Sequence, residues 1–287
     1  VYDLDQSSYN KFKNKDIYIA NSISDLISNT SIFITCLPSP KSVDDVIKKA
    51  LPNLTNKHLW IEMSTTDESE IIRLAKLCKI KGAETIEAPI TGGQHRAESG
   101  NISVLAAGDR KNFVRALPIL KTIGHKILYC GKIGNASTLK VVTNYLASVN
   151  LIAIGEALMV SKKYGINLKT AFNAIKISSG NSFVNETESQ VILSGSYNVG
   201  FTMDLVCKDV GLFQKLTDKF KIPAKMSQLI NSIFFKGKIK YGERAFSTSI
   251  VKLLEEKCNE DLRSEGFPLE LIDFEKKKHG LEIKIKQ

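Results

Sequence analysis

The feature that most constrains the fold is a change of pattern near residue 134. Before it, short apolar runs alternate with helix-like segments, whereas residues 135–258 keep a helical period with almost no β signal. Asn135 to about Tyr164 contains no proline and one interior glycine, Gly155. We therefore predict one helix of about 30 residues and about 45 Å, which Gly165 ends. It joins a sheet domain over residues 1–134 to a helical domain over residues 135–258.

Apolar, β-rich runs predict the strands of the first domain. These are Val1–Leu4, Ile17–Ala20, Ser31–Leu37, Leu59–Met63, Thr85–Ala88, Ile102–Ala107 and Lys126–Cys130. Helix-like segments such as Lys41–Ala50 and Asp67–Lys81 lie between them. Near-continuous apolar strands that alternate with helices predict an α/β domain of the Rossmann type, with a parallel sheet covered on both faces.

The second domain is predicted to be all-helical. After the long helix, the helical segments are Leu168–Ile177, Phe183–Leu193, Thr202–Lys219, Ala224–Lys238 and Ser247–Lys257. Residues 259–287 are of mixed charge and weakly apolar, so we expect a loosely attached C-terminal extension.

The composition excludes several classes of protein. With 43% hydrophobic and 24% charged residues, the chain is typical of a globular protein and not of a disordered one. No uninterrupted apolar run approaches the roughly 18–20 residues of a membrane span. No basic segment followed by an apolar segment opens the chain, so we do not expect a secreted protein. We expect a cytoplasmic protein, or one of an organelle matrix if a transit peptide precedes it. The 5 cysteines form no C-x-x-C pair and the 4 histidines form no close pair, so we expect neither a metal nor a disulfide framework.

The formal net charge of +10 invites a nucleic-acid partner, but its origin argues against one. Most of the 40 basic residues are lysines spread along the whole chain. Base and phosphate recognition favours arginine, whose planar fork donates two hydrogen bonds at once. We therefore expect no nucleic acid, and attribute the charge to a lysine-rich proteome.

The N-terminal segment Val1–Asp5 reads as a strand that carries an acid at its end. In dinucleotide-binding domains the second strand ends in an acid that binds the adenosine ribose, so Asp3 is either that group or a solvated acid. The first strand and its G-x-G-x-x-G loop would precede such a strand, and the chain contains no such motif. We therefore expect the chain to be incomplete at its start, and to bind cofactor poorly in that form.

Other strand ends carry groups suited to ligands. Ser31–Pro40 is a strand that runs into a proline-ended loop, and Trp60–Thr65 ends in hydroxyls. Ligands bind at the carboxyl ends of strands in open α/β sheets, although ordinary turns and helix caps have the same composition. Thr91, Gly92 and Gly93 end a further strand with a hydroxyl and two glycines, a pattern that suits either a turn or a nest of N–H groups around a carboxylate.

Polar residues on the predicted helices suggest chemistry. Lys140, Asn144 and Ser148 are spaced by four, so they form one stripe among apolar neighbours. A cation near a helix N-terminus is poorly placed for the helix dipole, and burial would lower the pKa of Lys140 into a range that suits proton transfer. The alternative is a side chain that extends to solvent. Lys208 and Asp209 form a pair on another apolar helix, where we expect an exposed pair.

In this order, these segments resemble the β-hydroxyacid dehydrogenase family, of which 3-hydroxyisobutyrate dehydrogenases and tartronate semialdehyde reductases are members. The resemblance runs over about residues 1–257. It is carried by Val1–Asp5, Cys36–Pro38, Met63–Thr65, Ala88–Gly93, Gly131–Asn144 and Lys208–Leu212. The spacing of Gly131 and Gly134 departs by two from the strictest family pattern, the glycine-rich loop is absent, and Thr91 stands where most members have serine.

The resemblance implies an NAD-dependent oxidoreductase for a small 3-hydroxy acid, or its semialdehyde, that forms a homodimer or homotetramer. Lys140 matches the catalytic lysine of the family, and Asn144 matches the residue that orients the substrate. Thr91, Gly92 and Gly93 match the positions that hold the substrate carboxylate. The positions that match cofactor contacts are Asp3, Leu37, Pro38, Ser42, Thr65 and Lys208. An acid at Asp3 favours NAD over NADP because it would repel a 2′-phosphate.

Two other classes of function stay open at this point. One is a neighbouring branch, either an imine reductase or a 6-phosphogluconate-type dehydrogenase. Lys140 followed by Asn144 fits the hydroxyacid branch better than an imine reductase, and no arginine-rich cluster suits a sugar phosphate. The other is a catalytically inactive relative that acts as a scaffold or binding module, which the retained Lys140 and Asn144 oppose.

Overall fold

The computed structural model describes residues 1–12 and 15–285. The strands in this part of the chain are β1 (Ile32–Thr35), β2 (Leu59–Glu62), β3 (Glu84–Glu87), β4 (Ile90–Thr91), β5 (Ser103–Gly108), β6 (Lys126–Tyr129) and β7 (Leu281–Ile283). They form one sheet in the order β1-β2-β3-β5-β6-β7, with β4 paired to β5.

The sheet is mainly parallel, as predicted, but two of its pairings are antiparallel and were not predicted. Strands β1, β2 and β3 are parallel to one another, as are β5, β6 and β7, but β3 and β4 pair antiparallel with β5. A parallel crossover needs a dozen or more residues, usually with a helix on one face of the sheet. The connection after β4 contains only the short helix Gln94–Ser99, so the chain turns back beside β4.

Neither Val1–Leu4 nor Ile17–Ala20 is a strand, so these two predictions are wrong. Their pairing is limited to two hydrogen bonds, from the Val1 amino group to Tyr18 O and from Ala20 N to Val1 O. Aspartate side chains then bond the backbone two residues on, with Asp5 N donating to Asp3 Oδ1 at 2.8 Å. Such local bonds compete with a strand ladder, and a 3₁₀ helix follows over Gln6–Phe12.

The helices follow the predicted pattern with small shifts in their ends. They are α1 (Ile23–Ser28), α2 (Pro40–Ala50), α3 (Glu68–Ile80), α4 (Gln94–Ser99), α5 (Arg110–Ile123), α6 (Asn135–Lys163), α7 (Leu168–Lys176), α8 (Phe183–Glu186), α9 (Glu188–Ser194), α10 (Met203–Lys219), α11 (Lys225–Tyr241) and α12 (Lys252–Cys258). The helix predicted over Phe183–Leu193 is divided in two at Thr187, and the last one begins as a 3₁₀ helix over Ser247–Val251.

Helices cover both faces of the sheet, as predicted. All of β2 is buried, and its successive side chains point to opposite faces. Trp60 belongs to the apolar core with α1, α2 and α3, whereas Leu59 and Ile61 belong to the core with α5. This arrangement explains why the strands are almost continuously apolar.

The long helix α6 lies at the centre of the helical part, where Leu151, Ile154 and Leu158 belong to the core shared with α7, α9, α10 and α11. It holds an 18-residue window of mean hydropathy 1.4, so by length and composition alone it could also cross a membrane. The sequence contains no uninterrupted apolar run of this length, because the window includes polar residues, and so the window was not predicted. A core helix meets the same criterion, and the contacts of α6 in this structure are those of a core helix.

The C-terminal extension is held to the sheet, contrary to the expectation of a loose attachment. Residues Leu281–Ile283 form β7 beside β6, and Leu281 N donates to His125 O at 2.8 Å. Arg110 pairs with Glu282, with 2.6 Å between Nη1 and Oε1. A free edge on β6 would leave a row of backbone groups unpaired, so the added strand satisfies them.

Candidate active site

The N-terminus of α6 is fixed to the sheet by a buried carboxylate. Glu87 ends β3, is 0% exposed, and accepts hydrogen bonds from the backbone N–H of Gly134, Ala136 and Ser137, the last at 3.0 Å. The Ser137 hydroxyl also donates to it at 2.5 Å. Burial raises the pKa of Glu87, while these donors lower it. An acid at this position satisfies orphan N–H groups and complements the helix dipole, and so sets the position of the next turn.

That next turn carries Lys140, which is buried at 7% exposure and does not extend to solvent. Its Nζ donates to Asn144 Oδ1 at 2.7 Å, one turn along α6. Burial lowers the pKa of Lys140 to about 8; Asp209 opposes this and Lys208 adds to it. A lysine with a pKa near 8 can hold or release a proton close to neutral pH, as a general acid–base requires.

Asp209 continues this network from α10. Asn144 Nδ2 donates to Asp209 Oδ2 at 2.5 Å, and Asp209 is 1% exposed. We expected Lys208 and Asp209 to be an exposed pair, and this is wrong for Asp209, which is buried. Its position explains the burial, because Asp209 shares the inner face of α10 with Val206 and Val210. Lys208 Nζ lies 3.1 Å from Asp209 Oδ1, an ion pair outside hydrogen-bond geometry.

Lys140 and Asn144 line a cavity of about 500 Å³, and the residues predicted to hold a carboxylate line the same cavity. Those residues are Thr91, Gly92 and Gly93, at the end of β4. The two glycines have φ angles of +127° and +87°, in the region that favours glycine. A Cβ at Gly93 would lie 2.9 Å from His95 Cε1, so a larger residue would disturb this wall.

The residues predicted to contact the cofactor form two groups. One lies around the loops after β1 and β2 and contains Leu37, Pro38, Ser42, Thr65 and Lys208, and the other is Asp3 alone. Lys208 Nζ donates to Thr65 O at 3.0 Å, which links α10 to the loop after β2. Leu37 N donates to Ser64 Oγ at 2.8 Å, so the loops after β1 and β2 are also joined. Pro38 is exposed beside them, and Ser42 bonds Ser39 at the start of α2. Asp3 is exposed on the N-terminal turn, and no hydrogen bond joins it to the others in the described part of the chain.

These strand ends fit the nicotinamide end of a dinucleotide. The carboxyl ends of β1 and β2 lie side by side, in the register Thr35 to Glu62. Uncharged N–H and hydroxyl groups follow them, together with the buried Thr66 Oγ1, which has no hydrogen-bond partner among the described residues. Ligands of open α/β sheets bind at such strand ends, and uncharged donors suit a ribose and a carboxamide.

Three acids in or near the site carried no functional prediction from the sequence. Glu62 and Glu87 each end an apolar strand, and Asp209 interrupts an apolar helix. The sequence signal that could have identified these acids is a charged residue within an apolar pattern. Buried acids are rare unless they are paired, so such a residue indicates a specific partner. Among the residues that the structure describes, no group of His, Cys, Asp and Glu side chains could hold a metal ion.

Two family models match almost the whole chain. The model described as the NAD binding domain of 6-phosphogluconate dehydrogenase matches residues 1–131. The model described as NAD-binding of NADP-dependent 3-hydroxyisobutyrate dehydrogenase matches residues 134–254.

Known proteins resemble the chain over most of its length. It is 29% identical to 2-(hydroxymethyl)glutarate dehydrogenase of Eubacterium barkeri over 231 residues, covering 79% of this chain and 77% of that protein. It is also 29% identical to mitochondrial 3-hydroxyisobutyrate dehydrogenase of Rattus norvegicus over 270 residues, covering 89% and 80%. The structure of a Mycobacterium tuberculosis 3-hydroxyisobutyrate dehydrogenase with L-serine shares the fold, with a TM-score of 0.80, 23% identity, and coverage of 88% and 89%. The chain therefore belongs to the β-hydroxyacid dehydrogenase family.

Proposed function

We propose that this protein transfers a hydride between NAD(H) and a small 3-hydroxy acid or its semialdehyde. The observation that carries the proposal is the buried Lys140–Asn144 pair, in the same cavity as Thr91, Gly92 and Gly93. The Lys140–Asn144 pair supplies a group for proton transfer. Thr91, Gly92 and Gly93 supply N–H groups and a hydroxyl that can bind a carboxylate. A 3-hydroxy acid carries these two functions two carbons apart.

Lys140 handles the proton in this reaction. Bound NAD would supply the acceptor for the hydride of C3. In oxidation the C3 hydroxyl then loses its proton to neutral Lys140 Nζ. In reduction, protonated Lys140 donates to the carbonyl oxygen and stabilises the charge that develops there. Asn144 holds the Lys140 ammonium in place through Oδ1 and is itself held by Asp209. Thr91, Gly92 and Gly93 bind the carboxylate and so fix C3 beside Lys140.

Residues 1–134 would bind the dinucleotide, and residues 135–258 would complete the substrate site. Leu37, Pro38, Ser42 and Thr65 would contact the cofactor from the sheet, Lys208 would close over it from α10, and Asp3 would select NAD at the adenosine ribose. The Lys208–Thr65 hydrogen bond supports this division, because it crosses between the two regions at the strand ends.

A homodimer or homotetramer belongs to the same proposal. Large apolar side chains are exposed on the helical part, among them Val160 at 70%, Tyr164 at 84% and Ile239 at 71%. Val160 and Tyr164 lie one turn apart at the end of α6, so a second copy of the chain could cover both. We also propose that the protein is cytoplasmic. Light scattering would measure the mass of the assembly, and cell fractionation would test the compartment.

Turnover of a substrate panel tests the function. NADH formation should be measured with 3-hydroxyisobutyrate, 3-hydroxypropionate and L-serine, against 2-hydroxy acids of the same size as controls for the position of the hydroxyl. We expect turnover of 3-hydroxy acids only, because the hydroxyl of a 2-hydroxy acid lies too close to the bound carboxylate for Lys140. Reduction of a cyclic imine, or oxidation of 6-phosphogluconate in preference to all of these, would contradict the proposal.

A further inference from the structure

Residues 262–283 run from the helical domain to the sheet, and we call this segment the C-terminal strap. Leu262 at its start is 0% exposed and belongs to the core of the helical domain. The Phe267 ring packs edge-on against Phe172 of α7, with 5.1 Å between the ring centroids. At the other end, β7 pairs with β6. The strap therefore connects the two domains, as α6 does, and both of its ends are anchored.

The middle of the strap is fixed to the turn between α4 and β5. Asn101 in this turn is 5% exposed, and its side chain donates to Asp273 Oδ2 at 3.0 Å and accepts from Lys278 N at 2.9 Å. Ser99 Oγ also donates to Asp273 Oδ2, at 2.6 Å. A buried amide with partners on both of its atoms holds the strap in one position. Because α4 directly follows Gly93, the strap is attached to the element that begins at the carboxylate site.

Between these anchors the strap reaches the substrate cavity through Leu271, which lines the cavity wall. Leu271 lies two residues before Asp273, so the chain keeps it within about 7 Å of that anchor. Its neighbours Leu269 and Ile272 are 69% and 57% exposed, whereas Leu271 is half-buried. The strap therefore turns one large apolar side chain towards the cavity and its neighbours towards solvent.

The chemistry of the cavity determines which part of a substrate can meet Leu271. The carboxylate is assigned to Thr91–Gly93 and the C3 hydroxyl to Lys140, and both groups need polar partners. The Leu271 side chain offers none, so it suits the substituent on C2, which is apolar when it is an alkyl group. A small alkyl group gains by burial against leucine, whereas a longer one must displace a wall that Asp273 holds in place.

We propose that the C-terminal strap completes the substrate site and that Leu271 is a specificity-determining residue, which limits the size of an alkyl group on C2. This inference rests on the proposed function and specifies which of its substrates fit. The strap lies beyond residue 254, where the match to the second family model ends. The family assignment therefore does not depend on this wall of the cavity.

A series of acids that differ only at C2 tests the contact. 3-Hydroxypropionate carries hydrogen there, 3-hydroxyisobutyrate a methyl group and 2-ethyl-3-hydroxypropionate an ethyl group. For the wild type we expect kcat/KM to fall by about tenfold or more from methyl to ethyl, the usual effect of one extra methylene in a fitted pocket. Leu271→Ala shortens the wall and should reduce this ratio to about threefold or less, with 3-hydroxypropionate changed by less than about threefold. Leu269→Ala, an exposed position on the same strap, is the matched control and should keep the wild-type ratio.

A change at the anchor should have the same effect as a change of Leu271. Asp273→Ala removes the acceptor of Ser99 and Asn101, so Leu271 loses its fixed position and the methyl-to-ethyl ratio should fall. Glu275→Ala is the matched control, because the Glu275 carboxylate bonds Lys278 within the strap. A merely structural role would lower kcat/KM for the three acids by the same factor. A ratio that Asp273→Ala left unchanged would overturn the role of the anchor.

Binding measurements separate this inference from the proposed function. Calorimetric titration of the full chain with NADH present gives dissociation constants, since the reduced cofactor cannot oxidise a hydroxy acid. Turnover of the three acids without a preference for size, or with equal losses in Leu271→Ala, would overturn the inference and uphold the function. Absence of turnover with every acid would refute the function, and the ratio of dissociation constants in wild type and Leu271→Ala would still decide whether Leu271 limits the ligand. Absence of both turnover and binding would refute both.

Discussion

Lys140 Nζ and Asn144 Oδ1 lie 2.7 Å apart on consecutive turns of α6, and Lys140 is 7% exposed. We predict that Lys140→Ala lowers kcat by about 10²–10⁴-fold, the typical loss for a positioned general acid–base. Lys140→Arg should not restore activity, because arginine does not release a proton near neutral pH. Steady-state kinetics measure both, and a variant that kept more than about a tenth of wild-type kcat would place the chemistry elsewhere.

The folded state should tolerate the same change. Alanine is the best helix former, and the change removes a buried cation whose pKa is lowered to about 8. A base with a lowered folded-state pKa destabilises the fold below that pKa, so at pH 7 the variant should be at least as stable as the wild type. Urea denaturation and cofactor binding by fluorescence check this, and loss of folding would disqualify the kinetic comparison.

Asp209 should influence the pKa of Lys140 and therefore the pH dependence of the reaction. Its charge raises the pKa of Lys140 against the effect of burial, so Asp209→Asn should lower that pKa further. Reduction requires protonated Lys140, and its rate falls as pH rises through this pKa. The alkaline limb of kcat/KM for semialdehyde reduction should thus move to lower pH by about one pH unit. Asp218→Asn, an exposed position on the same helix, should leave the limb unchanged. An unmoved limb in Asp209→Asn would show that Asp209 does not act on Lys140.

The sequence predicted the stripe of Lys140, Asn144 and Ser148, because a helical period is local and α6 keeps it over its whole length. It did not predict the partners of that stripe. Glu87 and Asp209 lie far from α6 along the chain, and only the tertiary fold brings them to its N-terminus and side. For the same reason the direction of β5 and the pairing of β7 were not predicted. The direction of β5 and the pairing of β7 depend on which strand edge is free in the folded sheet. The pattern of apolar residues in a strand does not determine which strand it pairs with.

Asp3 tests the assignment of cofactor preference. We predict that kcat/KM favours NAD over NADP by at least tenfold, because a carboxylate at the adenosine ribose would repel a 2′-phosphate. Asp3→Asn should reduce this preference by raising kcat/KM with NADP. Equal use of the two cofactors by the wild type would place Asp3 away from the ribose, in keeping with its exposed position on the N-terminal turn.

Glu62 should make stability depend on pH. Burial raises its pKa to about 7, with repulsion from Glu87 adding to the effect, although Thr35 and Ser64 donate hydrogen bonds to it. An acid with a raised folded-state pKa stabilises the fold most below its unfolded value of 4.5, and that contribution is lost as pH rises towards 7. From pH 5 to pH 8, the unfolding free energy of wild type should fall relative to Glu62→Gln by about 2–3 kcal/mol. Urea titrations at both pH values measure this, with the exposed Glu270→Gln as control. Parallel curves for wild type and Glu62→Gln would refute the shift.

The C-terminal strand should support both the sheet and the site. Leu281→Pro removes the N–H that bonds His125 O and prevents β7 from pairing with β6, so it should cost about 1–3 kcal/mol of stability. The exposed edge of β6 should also increase aggregation. Leu271 of the same extension lines the cavity, so loss of its anchor should raise KM more than it lowers kcat. Ile285→Pro, beyond the end of β7, is the control and should change neither property. Thermal melts, light scattering and kinetics check the set, and a Leu281→Pro variant with wild-type Tm and KM would show that the extension is dispensable for both.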